Sequence, residues 1–110
     1  MSVRKTLCRF DAIPDGGAVA VDVESATGGF SLILLRRGSQ VFAYHNECPH
    51  AGSRLDWAPG RFLIEDDSLI CASHGAVFFI HNGLCHGGPC RGASLAPVPV
   101  QLVDGEIRLG

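Results

Sequence analysis

Two short segments of this chain each pair a cysteine with a histidine. Cys48 and His50 are separated by one residue, Cys71 and His74 by two, and twenty residues lie between the two segments. Thiolates and imidazoles are ligands for soft and borderline metal centres, and two such segments on facing loops would supply four of them. The pattern therefore predicts a metal site made by Cys48, His50, Cys71 and His74.

The size and charge of the chain limit the functions open to it. Its 110 residues suffice for one domain and leave no room for a catalytic domain beside a metal-binding one. A formal net charge of -2, with scattered Lys and Arg, argues against nucleic acid or an anionic membrane as a partner. No apolar run is long enough to span a bilayer, and residues 1–10 lack the apolar stretch of a secretion signal. We therefore expect a cytoplasmic protein.

Five cysteines in a cytoplasmic chain indicate metal or redox chemistry rather than a disulfide scaffold. The odd count agrees, because at least one thiol would remain unpaired. Cys8 lies in an alternating segment near the start and is predicted to be a half-buried small residue.

The rest of the sequence has the pattern of a β protein. Short apolar segments alternate with turn residues, and no long window has a helical period. The segments are 19–23, 30–35, 41–44, 62–64, 69–71, 77–80, 98–103 and 107–109. Asp104-Gly105 between the last two is a strong hairpin signal. We predict an all-β fold, a small antiparallel sandwich or barrel of about eight to ten strands.

The predicted strands place both Cys-His segments in loops. Cys48 follows the strand predicted at 41–44, and Cys71 closes the one that begins at Leu69. A hairpin between them can return one loop to the other, so residues distant in sequence can form one site.

These residues resemble the Rieske iron-sulfur signature. The segment 48–55, CPHAGSRL, is similar to its first half and 71–78, CASHGAVF, to its second, while Gly87-Gly88-Pro89 and the 97–107 segment also fit small Rieske ferredoxins. The resemblance covers roughly residues 40–110. It implies one Rieske domain over 1–110, with a cluster-binding subdomain at about 45–91 formed by two hairpin loops.

The resemblance also implies a cofactor and an activity. In this family a 2Fe-2S cluster is held by two thiolates on one iron and two imidazoles on the other. Cys48 and Cys71 would bind the first iron, and His50 and His74 the second. The protein would be a one-electron carrier rather than an enzyme by itself. Its expected partners are a flavin reductase as donor and an oxygenase or another oxidoreductase as acceptor.

Three positions predict a low reduction potential. High-potential respiratory Rieske proteins resemble this signature but carry a disulfide across the cluster, at the positions of Ser53 and Ser73 here. They usually also have a serine hydroxyl where this chain has Ala76. Since a missing donor to the cluster disfavours the more negative reduced form, we expect roughly -150 mV rather than +300 mV.

Other interpretations remain open at this point. The chain could be a small Rieske subunit of a larger oxidoreductase, or a non-redox module with a Cys2His2 zinc site. The single residue between Cys48 and His50 is tighter than zinc ligands usually are. Cys85 and Cys90 could be free thiols, a disulfide or a shield over the cluster.

Three other histidines and the tryptophan are not predicted to bind the metal. His45, His81 and His86 have no paired thiol at ligand spacing and are taken as surface or loop histidines. Trp57 is expected to shield the cluster, to present a stacking surface to a partner, or to be half-buried in the core.

Overall fold

The computed structural model describes residues 6–25, 28–49, 53–71 and 75–110. In these ranges it contains ten strands and one 3-10 turn, Phe10–Ala12, and every strand pair is antiparallel. The predicted all-β antiparallel fold is confirmed. The strands are β1 Thr6–Arg9, β2 Ala18–Ser25, β3 Gly28–Arg37, β4 Gln40–His45, β5 Leu63–Glu65, β6 Ser68–Ile70, β7 Val77–Phe79, β8 Cys85–Gly87, β9 Val100–Val103 and β10 Glu106–Leu109.

The strands form three sheets, in the orders β1-β10-β9, β2-β3-β4 and β5-β6-β7-β8. The second and third sheets are built from neighbours in sequence, whereas β1 pairs with β10 at the opposite end of the chain. The segment before β9 links the sheets, because the amide of His45 donates to the carbonyl of Ala96 and that of Val98 to Ala43, both at 2.9 Å.

Strand β3 separates two apolar cores. Its residues Leu32 to Leu35 are all buried, which is expected for a strand covered on both faces. Because side chains alternate along a strand, Ile33 and Leu35 enter a core that also contains Cys48 and Cys71, whereas Leu34 enters the other core with Ile13 and Ile107. The β2-β3-β4 sheet thus packs against the loops that contain the two cysteines.

The predicted hairpin at Asp104-Gly105 is present between β9 and β10. Both turn residues have positive φ, 50° for Asp104 and 77° for Gly105. A two-residue hairpin of type I′ requires this backbone, and Asp-Gly is a favoured sequence for it.

Two strands were not predicted from the sequence. β1 lies in the alternating N-terminal segment, and β8, Cys85–Gly87, lacks the apolar run that marks a strand. His86, predicted to be a surface or loop histidine, therefore lies in a strand and is partly buried. Among the described residues no helix has the length and hydropathy that a bilayer span requires.

Candidate metal centre

Cys48 lies in a tight loop that begins directly after β4. Its backbone amide donates a 2.8 Å hydrogen bond to the carbonyl of Ser53, five residues further along the chain. The whole of Cys48 is buried, with 0% exposure. The loop thus directs a thiol into the protein rather than toward solvent.

Cys71 lies in a loop of the same construction after β6. Its amide donates to the carbonyl of Ala76 at 2.8 Å, again five residues ahead, and the amide of Gly75 returns a 2.8 Å bond to the Cys71 carbonyl. Cys71 also has 0% exposure. The two predicted metal-binding segments therefore share one backbone closure, which the sequence spacing alone did not reveal.

The two cysteines belong to one buried core, together with Leu55, Ala76 and Phe78. This part of the prediction, that the two loops converge, agrees with the structure. His50 and His74, the other two predicted ligands, lie outside the described residues, as does Ser73. The part of the chain that is described contains no group of three metal-binding side chains.

A third segment packs against the cysteine loops. Gly88 has φ +81°, and a Cβ at this position would lie 2.8 Å from both the Gly75 carbonyl oxygen and the Ala76 Cα. Only glycine permits this backbone and this approach. Two residues later, the Sγ atom of Cys90 lies 3.7 Å from that of Cys48. The 88–90 segment thus touches both loops.

A network of hydrogen bonds around Asp56 joins the two ends of the loop that contains Cys48. The Asp56 side chain, 1% exposed, accepts hydrogen bonds from Arg54 Nε and Nη2 at 3.0 and 2.9 Å, from the Gly60 amide at 3.0 Å and from Asn46 at 3.2 Å. Asn46 in turn accepts from the Leu55 amide at 2.8 Å. Burial acts to raise the pKa of Asp56, but the bonds from Arg54, Gly60 and Asn46 outweigh it and hold the pKa at about 2. Asp56 is therefore ionised near neutral pH and keeps these hydrogen bonds.

The arrangement described so far matches a known family over most of the chain. Residues 4–102 match the Rieske 2Fe-2S domain. The chain belongs to the Rieske 2Fe-2S domain family. The match begins well before residue 40, so it also includes residues 4–40, which the resemblance in the sequence did not cover.

Individual relatives of this Rieske chain agree with the family. The ferredoxin subunit of anthranilate 1,2-dioxygenase from Burkholderia cepacia is 26% identical over 78 residues, covering 71% of this chain and 68% of that protein. The Sphingomonas yanoikuyae B1 ferredoxin superposes with a TM-score of 0.76 at 26% identity and 97% coverage of both chains.

The same fold occurs inside a longer chain. The terminal oxygenase of carbazole 1,9a-dioxygenase from Novosphingobium sp. KA1 gives a TM-score of 0.77 at 19% identity, covering 96% of this chain and 28% of that one. At this identity the similarity concerns the fold alone.

The buried thiols fit the cofactor that the Rieske family binds, a 2Fe-2S cluster. Thiolate ligation of this cluster needs two cysteines, and Cys48 and Cys71 are both fully buried in the same core. The Ser53 hydroxyl is also buried at the end of the first loop, with no hydrogen-bond partner among the described residues. A buried hydroxyl usually has a hydrogen-bond partner, and a cluster bound beside the first loop would be consistent with one for Ser53.

The structure decides between the alternatives for several other residues of the Rieske chain. Cys85 and Cys90 are both buried and are not joined by a disulfide. Trp57 is 56% exposed, so of its three interpretations the half-buried core position is wrong. His86 stacks on Phe79 with ring centroids 3.8 Å apart.

The polar network around Asp56 was missed from the sequence. Neither Asp56 nor Asn46 belongs to a motif that predicts a role at the site. The signal in the sequence is a pair of polar residues, Asn46 and Asp56, that lie on either side of the predicted ligand Cys48.

Proposed function

We propose that this chain is one Rieske domain over residues 1–110, with its cluster-binding part at about 45–91. Cys48 and Cys71 would hold one iron of the cluster and His50 and His74 the other. The observation that supports this ligand set best is the shared closure of the two loops, which buries both thiols in one core. The spacing of the two histidines from these cysteines completes the set.

The function that follows is one-electron transfer by a cytoplasmic carrier that has no catalytic activity of its own. When bound, a 2Fe-2S cluster accepts and releases a single electron. The protein's part is to hold the ligands, exclude water from Cys48 and Cys71, and present the loop side of the domain to redox partners. The similarity to the ferredoxin subunit of anthranilate 1,2-dioxygenase favours a terminal oxygenase as the acceptor. The proposed donor is a flavin reductase.

The reduction potential of the carrier is proposed to be low for a Rieske protein. Ser53 cannot form the disulfide of the high-potential type, and the buried Ala76 has no hydroxyl to donate. Fewer hydrogen-bond donors near the cluster disfavour its reduced form, so the midpoint potential should be about -150 mV.

The test begins with the purified full chain. We expect a red-brown protein with two iron and two acid-labile sulfide per chain, by the stoichiometry of the cluster. Reduction should produce an electron paramagnetic resonance signal whose average g-value lies well below that of the free electron. Stopped-flow mixing with a Rieske-type terminal oxygenase should then reoxidise the reduced protein.

Variants separate the ligands from other residues. His50→Ala and His74→Ala should abolish or convert the cluster, and Cys48→Ser and Cys71→Ser should prevent its assembly. His86→Gln is the control, because His86 is engaged with Phe79 and with the Ser68 hydroxyl at 2.9 Å. Equal cluster loss in His86→Gln and His50→Ala would overturn the ligand assignment, and a colourless protein with stoichiometric zinc would overturn the electron-transfer function.

A further inference from the structure

Cys90 contributes a third thiol to the surroundings of the predicted ligands. Its Sγ atom lies 3.7 Å from Cys48 Sγ, within hydrogen-bond range for sulfur, and the two residues are 5% and 0% exposed. Thiols serve as weak hydrogen-bond donors and sulfur atoms as weak acceptors. The contact therefore links a residue of the 88–90 segment directly to a predicted cluster ligand.

The position of Cys90 is fixed by the backbone around it. The amide of Ala93 donates to the Cys90 carbonyl at 2.8 Å, and the amide of Cys85 donates to the Ala93 carbonyl at 2.8 Å. On its other side, the approach of Gly88 to Gly75 fixes the segment against the second loop. The backbone that carries Cys90 is thus held in place on both sides of the contact between the two sulfur atoms.

The neighbouring thiol is oriented differently. Cys85 is equally buried, but its Sγ donates to the Gly87 carbonyl oxygen at 3.0 Å. The Cys90 thiol has the Cys48 sulfur as its hydrogen-bond partner. Cys85, in β8, and Cys90, after it, therefore differ in what their thiols contact: Cys90 contacts a predicted ligand and Cys85 contacts the backbone.

We propose that Cys90 is a positioning residue whose S–H donates to the Cys48 sulfur and makes the domain easier to reduce. The inference rests on the proposed function, in which Cys48 is an iron-bound thiolate. A bound thiolate has no proton to give, so Cys90 must be the donor. Reduction adds negative charge to the centre, and a donor on a ligand sulfur stabilises the more negative state. Cys90 thus offsets part of the effect of Ala76, which offers no side-chain donor.

The experiment measures the midpoint potential of the loaded full chain by protein-film voltammetry. Cys90→Ala should lower the equilibrium constant for reduction about three- to tenfold, a tenfold change being 59 mV for one electron. Cys90→Val, which fills the space of the thiol without a donor, should do the same. Cys90→Ser retains a donor and should lie closer to the parent. Cys85→Ala is the matched control and should leave the potential unchanged.

A second readout reports the hydrogen bond itself. Resonance Raman spectra should show iron–thiolate bands that shift in D2O, and this shift should decrease in Cys90→Ala and Cys90→Val but not in Cys85→Ala. Loaded Cys90→Ala and Cys90→Val proteins with the parent's potential would overturn the role of Cys90 alone. An equal decrease in Cys85→Ala would also overturn it, since packing would then explain the effect. A parent protein that binds no cluster overturns the proposed function and this inference together.

Discussion

The side-chain amide of Asn46 donates a hydrogen bond to the Asp56 carboxylate at 3.2 Å, across the base of the loop that contains Cys48. Asn46 is 6% exposed, and its own oxygen receives the Leu55 amide. One buried side chain thus joins the two ends of the first cysteine loop. The geometry of that loop depends on polar groups that bind no metal.

Replacing Asn46 should weaken both the fold and the loop. Asn46→Ala leaves the buried Leu55 amide without its acceptor, so we expect a loss of about 1–3 kcal/mol in the free energy of unfolding. Urea unfolding followed by circular dichroism measures this loss, and the rate at which visible absorbance disappears on warming measures cluster retention. Asn82→Ala is the control, because Asn82 accepts the Leu84 amide in the same way but at an exposed site. Equal effects of the two substitutions would contradict the prediction.

The Asp56 carboxylate should make stability depend on pH in acid. Its pKa in the folded protein is about 2, below the usual value of 3.8, so its contribution is complete above about pH 5 and is lost as the pH falls through about 2. After allowance for the half-exposed Arg54, we expect this contribution to be about 1–2 kcal/mol.

The measurement compares the parent protein with Asp56→Asn by urea unfolding at pH 7, 5, 4 and 3. Asp56→Asn should be less stable at pH 7, and the difference should shrink below about pH 5. A difference that stays constant across this range would show that the charge of Asp56 is not the cause.

Gly88 should not tolerate a side chain. Gly88→Ala combines a left-handed backbone, φ +81°, with a Cβ that would lie 2.8 Å from the Gly75 carbonyl oxygen. We expect a destabilisation of about 2–4 kcal/mol and reduced cluster content, because the 88–90 segment must move off the second loop. Gly92→Ala is the matched control, since Gly92 also has positive φ, +93°, but faces open space. It should show only the backbone cost of about 1 kcal/mol, and a similar loss in both variants would refute the steric argument.

Tyr44 should be a permanent hydrogen-bond donor between two sheets. Its hydroxyl donates to the Ile80 carbonyl at 2.5 Å, and burial raises its pKa above the ordinary value of 10. Tyr44→Phe should cost about 1–2 kcal/mol, because the buried Ile80 carbonyl loses its donor. Since this is the only tyrosine in the chain, phenolate absorbance reports it alone.

Ionisation of Tyr44 at alkaline pH should destabilise the folded protein. A raised pKa means that the contribution of Tyr44 is present below about pH 10 and is lost as the pH rises through the folded-state value. The phenolate transition should therefore occur at higher pH in the folded protein than in denaturant. Coincident titration curves, or an unchanged urea midpoint in Tyr44→Phe, would contradict this.

The sequence by itself determined the local features of this protein. The apolar segments that form β2, β3 and β4, and the Asp104-Gly105 turn, depend on residues a few positions apart, so their pattern is visible in one dimension. The cysteines and histidines at ligand spacing identified the family for the same reason, since each loop is a local motif. β8 was missed because Cys85–Gly87 forms a strand only through its pairing with β7.

Only the tertiary structure decided which distant residues meet. The pairing of Thr6 with Arg108, the bond from Asn46 to Asp56 and the approach of Cys90 to Cys48 all depend on how three sheets pack. Packing also leaves Trp57 exposed, although an isolated tryptophan in the sequence is as compatible with a core. Such contacts arise because burial of apolar surface brings the sheets together without regard to sequence separation, and the polar groups brought in with them must find partners there.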